Sequence, residues 1–173
     1  FMRFIRDIHA EKEATGKPTI SFEFFPFKTS EGEETFFDKT LPALMTARPD
    51  YASVTYGAGG STREKTLEIV ERIQNDFGLT TMAHLTCIRH TQAEIGGILD
   101  EAARRGIQNI LALRGDPPSG EEWTQTEGGF EFASELVEFL RERGGFGIGA
   151  AGFPEGHIDC AEGRETDWRH LVG

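Results

Sequence analysis

Thr80-Thr81-Met82-Ala83-His84-Leu85-Thr86 and Ile107-Gln108-Asn109-Ile110-Leu111-Ala112-Leu113 are short apolar runs on either side of a stretch with a different period. β-branched and aliphatic residues dominate both, and each has the length of a strand. Between them Ile95, Ile98, Leu99 and Ala102 recur at the spacing of one helix face, and Gly106 ends the helix. Strand, helix and strand in that order form a βαβ unit, whose crossover makes the two strands parallel. The reading that follows is an α/β fold.

The same alternation extends in both directions. Upstream, Tyr51 to Tyr56 reads as a strand, and Leu67, Val70, Ile73 and Phe77 mark a helix that Gly78 closes. Before these, an N-terminal helix ends at Gly16-Lys17-Pro18, and Thr19 to Phe25 forms the first strand. Phe37, Leu41, Leu44 and Met45 then share a helix face; Pro42 inside that pattern predicts a kink or two short helical pieces. Downstream, Phe132, Leu136, Phe139 and Leu140 mark a helix, Phe146 to Ala151 a small-residue strand, and Glu165 to Leu171 a last helix. Five βα units imply one parallel sheet. Two closures remain open: a doubly wound sheet, or the first five units of a (β/α)8 TIM barrel, which needs three more strands and roughly 250 residues. Either one puts ligands at the carboxyl ends of the strands, where Phe25-Pro26, Thr55-Tyr56-Gly57, His84 to Cys87, Arg114-Gly115-Asp116 and Phe153 to His157 fall.

The 173 residues suit a single domain, residues 1–173. Their 18 basic and 29 acidic residues, net −11, argue against a nucleic-acid or anionic-membrane partner. No apolar run approaches the roughly 20 residues that span a bilayer, and no signal peptide is visible. Two cysteines, Cys87 and Cys160, make no disulfide framework, so the expected compartment is the cytoplasm.

Ile20-Ser21-Phe22-Glu23-Phe24-Phe25-Pro26 carries one carboxylate among large apolar residues. Glu23 is either turned to water on an edge strand or held in an apolar site as an acid ready to give a proton. Thr55-Tyr56-Gly57-Ala58-Gly59-Gly60-Ser61-Thr62 is a glycine-rich loop that either holds a phosphate or flavin edge or makes a tight turn with Ser61 or Thr62 as helix cap. It is neither a Rossmann nor a Walker fingerprint. His84, Cys87 and His90 are metal-ligand types, but positions 84 and 87 of a strand face opposite ways and no fourth ligand is in view, so no metal is expected. Arg114 suits a diphosphate or a planar ring edge and Asp116 a ligand ring, unless the two pair locally. His157 suits a phosphate or ribose, or is plain surface. Trp123 with Glu121-Glu122 reads as a loop tip, and nothing supports a nucleophilic mechanism.

Ser21-Phe22-Glu23-Phe24-Phe25-Pro26, Val54-Thr55-Tyr56-Gly57-Ala58-Gly59-Gly60-Ser61-Thr62, His84-Leu85-Thr86-Cys87, Leu111-Ala112-Leu113-Arg114-Gly115-Asp116 and Phe153-Pro154-Glu155-Gly156-His157 together resemble the methylenetetrahydrofolate reductase family, in the family's order and over nearly the whole chain. The resemblance implies a TIM barrel with FAD at the carboxyl face. It also implies NADH or NADPH as electron donor, 5,10-methylenetetrahydrofolate as substrate and a homo-oligomer. It makes Glu23 the general acid and places Asp116 between flavin and folate. Thr55, Tyr56, Ala58, His84, Arg114, Gly115, Asp116, Phe132, Ala133, Phe153 and His157 would then line the FAD, with Asp167 and His170 toward its adenosine. Phe132 and Phe153 stand where relatives can have tyrosine, and His170 where they can have another polar residue. The family's later strands do not follow Gly173, so the expectation is a flavin-binding half-barrel that needs those strands, or another chain, for folate reduction.

Overall fold

The computed structural model describes residues 2–56, 63–117, 121–158 and 160–172. Helix α1 (Ile5–Thr15) precedes strand β1 (Ser21–Phe24). Helix α2 (Ser30–Thr35), a π-helical turn (Phe36–Thr40) and helix α3 (Leu41–Met45) follow. Then β2 (Tyr51–Val54) leads to α4 (Arg63–Phe77), β3 (Thr81–Thr86) to α5 (Gln92–Arg104), β4 (Asn109–Leu113) to α6 (Ala133–Arg143), and β5 (Gly147–Ala150) to α7 (Arg164–Val172). Each predicted element is present, and the strands are shorter at their ends than the apolar runs that announced them. Pro42 acts as expected. Lacking an N–H, it sits in the first turn of α3, and the chain reaches it through the wider π turn instead of one continuous helix.

All strand pairs are parallel, and the sheet order is β1-β2-β3-β4-β5. A doubly wound sheet reverses its order at a switch point, and this one does not. Consecutive right-handed crossovers place the helices that connect the strands on the same face, which is barrel winding. On that face Phe24, Ala52, Val54, Ala83, Leu85, Ile110 and Ala112 meet Ile69, Ile73, Ile95, Leu99, Leu136 and Leu140 of the helices in one buried cluster. The opposite face carries Glu23, Ser53, Met82, His84, Leu111 and Gly149, because side chains alternate along a strand.

Helix α1 lies across the amino ends of the strands. Asn109, 1% exposed, accepts from the Ile5 N–H at 2.9 Å and donates to the Arg3 carbonyl at 2.9 Å. Lys12 pairs with Asp50 at 2.7 Å, and the His9 ring meets the Tyr51 ring edge-on at 5.7 Å. The bottom of the sheet is thereby covered, and the carboxyl ends are left for a site.

Candidate functional site

Strand register brings three polar side chains together on the inner face. Glu23 lies opposite Ser53, and His84 stands on β3 one inward step beyond the partner of Ser53, Met82. The Ser53 hydroxyl donates to Glu23 Oε2 at 3.1 Å. His84 Nε2 is 3.3 Å from the same oxygen, an ion-pair distance but off the line a hydrogen bond requires. Phe22 and Phe24 do not provide the enclosure of the carboxylate that the second of the two sequence readings required. They project from the other face, where Phe24 packs edge-on against Phe36 at 4.8 Å. Glu23 therefore combines parts of both expectations. It sits on an edge strand with its side chain 51% exposed, yet it is fixed by two inward neighbours.

Burial pushes the His84 pKa below its ordinary value of 6.5, partly opposed by the Glu23 charge. A base held below its unfolded value takes up its proton more readily once the chain unfolds. Stability is therefore complete above pH 6.5 and is lost as pH falls toward the folded value. The unfolding midpoint should drop between pH 7.5 and 5.5, and His84→Gln should flatten part of that slope. An unchanged slope would assign it to other groups.

At the end of β2 the Thr55 N–H donates to the Phe24 carbonyl at 2.9 Å, and its own carbonyl accepts from buried Thr66 at 3.0 Å. Tyr56 follows, half-buried, its hydroxyl 3.2 Å from His90 Nε2. Ala58 and the rest of the glycine-rich loop 57–62 lie outside the described residues. His84, Cys87 and His90 go to three different places. Cys87 turns into the core, its thiol donating to the Leu113 carbonyl at 3.2 Å, and among the described residues no group of three His, Cys, Asp or Glu is placed to hold a metal. Burial pushes the Cys87 thiol up to about 11. Iodoacetamide at pH 8 should therefore label Cys160 and spare Cys87 until the protein is unfolded, as peptide mass mapping would read. Labelling of both at equal rates in the native protein would contradict this burial.

Arg114 follows β4, its guanidinium 5.6 Å from the centre of the Trp123 ring. Gly115 has φ 85°, and a Cβ there would come within 2.7 Å of Ile88 and 2.8 Å of Thr86, so only glycine lets the chain turn here. Asp116 is exposed just beyond. Phe132 and Ala133 open α6, where the Glu135 carboxylate accepts from the Glu131 and Phe132 N–H groups at 2.7 and 2.8 Å. After β5 the Phe153 and His157 rings meet edge-on at 4.7 Å, and the His157 N–H donates to Asp167 at 2.9 Å. His170 is exposed in the last turn of α7.

The structure thus gathers Glu23 with His84, and Phe153 and His157 with Asp167. It adds three residues that sequence reading did not assign to the site: Ser53, His90 and Trp123. Among the described residues His84 Nε2, Thr86 Oγ1 and Trp123 Nε1 are buried polar atoms without a hydrogen-bond partner. With the Arg114 guanidinium and the Tyr56 and Trp123 rings, this donor and acceptor set fits a planar, polar ring system bearing phosphate.

A consecutively wound parallel sheet, sealed at its amino ends and polar at its carboxyl ends, defines a barrel-type α/β protein with its site in the mouth. Residues 7–172 match the model of the family described as methylenetetrahydrofolate reductase. The chain is 44% identical over 156 residues to methylenetetrahydrofolate reductase (NADH) 1 of Zea mays, covering 88% of this chain and 26% of that one. It is 46% identical over 150 residues to the Arabidopsis thaliana protein of the same name, covering 85% and 25%. It is 39% identical over 159 residues to 5,10-methylenetetrahydrofolate reductase of Escherichia coli, covering 92% of this chain and 51% of that one. The chain belongs to the methylenetetrahydrofolate reductase family, and it carries the first five βα units of that family's barrel. It spans only 25–51% of the length of these three relatives.

Proposed function

We propose that this chain forms the cofactor-side part of an enzyme that reduces 5,10-methylenetetrahydrofolate to 5-methyltetrahydrofolate, with NADH or NADPH as donor. FAD, when bound in the mouth, supplies the two-electron carrier between nicotinamide and folate. Thr55, Tyr56, His84, Arg114, Gly115, Phe132, Ala133, Phe153 and His157 would hold it together with Ala58, which lies outside the described residues, and Asp167 and His170 would serve its adenosine end. The observation that carries the reading is the Glu23–Ser53–His84 group on the inner face.

The Ser53 hydroxyl donates to one carboxylate oxygen and leaves the other available for a proton. His84, uncharged near neutral pH because burial lowers its pKa, gives Glu23 a neutral imidazole for company. In that setting Glu23 can deliver its proton to the folate nitrogen of the five-membered ring. The C–N bond opens, the one-carbon unit becomes an iminium, and a hydride converts it to a methyl group. Asp116, exposed at the rim, orients the pterin.

The test is direct. The full-length protein should be yellow or take up added FAD, and NADH or NADPH should bleach the flavin band. NADH, which appears in the names of both plant relatives, is the donor to try first. A colourless protein that takes up no FAD would remove the proposal. Uptake without bleaching would restrict this chain to holding the cofactor. The two free thiols are consistent with a cytoplasmic setting.

A further inference from the structure

His90 has no part in the reaction described above, and it is a buried imidazole, 8% exposed, at the mouth. Its Nε2 lies 3.2 Å from the Tyr56 hydroxyl, and the two rings meet edge-on at 6.1 Å and 78°. The backbone that carries it is held on every side. Its N–H donates to the Cys87 carbonyl at 3.2 Å. Arg89 before it stands at φ 60°, a left-handed conformation that arginine adopts only where the surroundings impose it. Thr91 after it caps α5, its hydroxyl accepting from the Glu94 N–H while Glu94 accepts from the Thr91 N–H. Gly129 presses its backbone against the His90 carbonyl so closely that no side chain fits there, and a bridge joins Thr91 to Gly129. Tyr56 is anchored differently. Its chain leaves β2 directly after Thr55, and its ring reaches out to His90.

We propose that His90 is a positioning residue for the cofactor end of the site. A rigid post on the β3–α5 loop, it holds the Tyr56 hydroxyl and so fixes Tyr56 at the carboxyl end of β2, where it would help hold FAD. The inference rests on the FAD-binding reading above. A merely structural imidazole would stabilise the loop without altering the ligand, whereas a positioning imidazole acts through the Tyr56 hydroxyl and depends on it.

The experiment is a double-mutant cycle on the full-length apoprotein with Tyr56→Phe, His90→Phe and the pair, titrated with FAD and followed by flavin fluorescence and the visible band. Each single substitution should weaken FAD binding about 3- to 10-fold, the range of one neutral hydrogen bond, and change the quenching of the bound flavin. The double variant should be no worse than either single one, because both remove the same link. His90→Gln, which keeps a polar group in reach of the hydroxyl, should recover part of the loss. Wild-type affinity and spectrum in Tyr56→Phe, or losses that multiply in the pair, would overturn the inference while leaving FAD binding intact. A wild-type protein that takes up no FAD would overturn both. Should His90→Phe fail to fold, Tyr56→Phe carries the test, since it deletes a single oxygen and leaves the post in place.

Discussion

Glu23→Gln in the full-length protein should leave reduction of bound flavin by NADH or NADPH near the unsubstituted rate and slow folate reduction by about 10²- to 10⁴-fold. Glutamine has the shape of glutamate, and its amide oxygen can accept from the Ser53 hydroxyl as the carboxylate does. It cannot deliver a proton to the folate nitrogen. The two half-reactions therefore separate. In the proposed reaction nicotinamide oxidation needs no acid at this position, whereas ring opening does. Stopped-flow absorbance of the flavin band, with nicotinamide alone and then with folate, reads each step by itself. Equal loss of both would mean that Glu23 shapes the site instead of giving the proton. Ser53→Ala offers a graded comparison, since it removes only the hydroxyl that fixes the carboxylate and should slow the folate step less.

Asn109→Ala should cost about 2–4 kcal/mol of folding stability, the largest loss expected from any single polar side chain described here. The Asn109 amide serves the Ile5 N–H with its oxygen and the Arg3 carbonyl with its nitrogen, both at 2.9 Å, the first buried and the second half-buried. Alanine leaves those two backbone groups unpaired at the very place where α1 joins the sheet. Asn109→Asp keeps the acceptor for Ile5 but loses the donor and buries a charge, so it should be at least as harmful. Urea unfolding measures the loss, and limited proteolysis near Gly16-Lys17 should quicken as α1 loosens. A loss within about 0.5 kcal/mol would mean that α1 is held mainly by its Lys12–Asp50 and His9–Tyr51 contacts.

The fold was legible in the chain because its signals are local. Apolar runs, helix faces such as Ile95-Ile98-Leu99-Ala102 and closing glycines such as Gly106 need no knowledge of distant neighbours. The choice between doubly wound and barrel winding was not local. It depends on which strand pairs with which, and only the observed order decides it. The site divides in the same way. Many of its candidate residues follow strand ends, which sequence reading can find, and the resemblance to the family proposes them. Ser53 escaped notice because only register places it opposite Glu23. Trp123 was read as a loop tip without a functional signal, and only the structure shows its ring 5.6 Å from the Arg114 guanidinium. The Phe-Glu-Phe pattern left Glu23 either exposed on an edge strand or enclosed, and the pleat decides by sending those phenylalanines to the helical side.

The contact between Gly129 and His90 has a dynamic consequence. The β3–α5 turn and the strap before α6 share a backbone bridge between Thr91 and Gly129, in which the Gln92 N–H donates to the Gly128 carbonyl, and the strap itself is closed by the Gly129 N–H on the Thr126 carbonyl. Segments joined in this way open together, as one cooperative unit. The amides of Gln92 and Gly129 should accordingly exchange with deuterium at a common rate, and any ligand that slows one should slow the other. The rim of the mouth would then behave as a single jaw, in which an event at the Trp123 loop is felt at the start of α5.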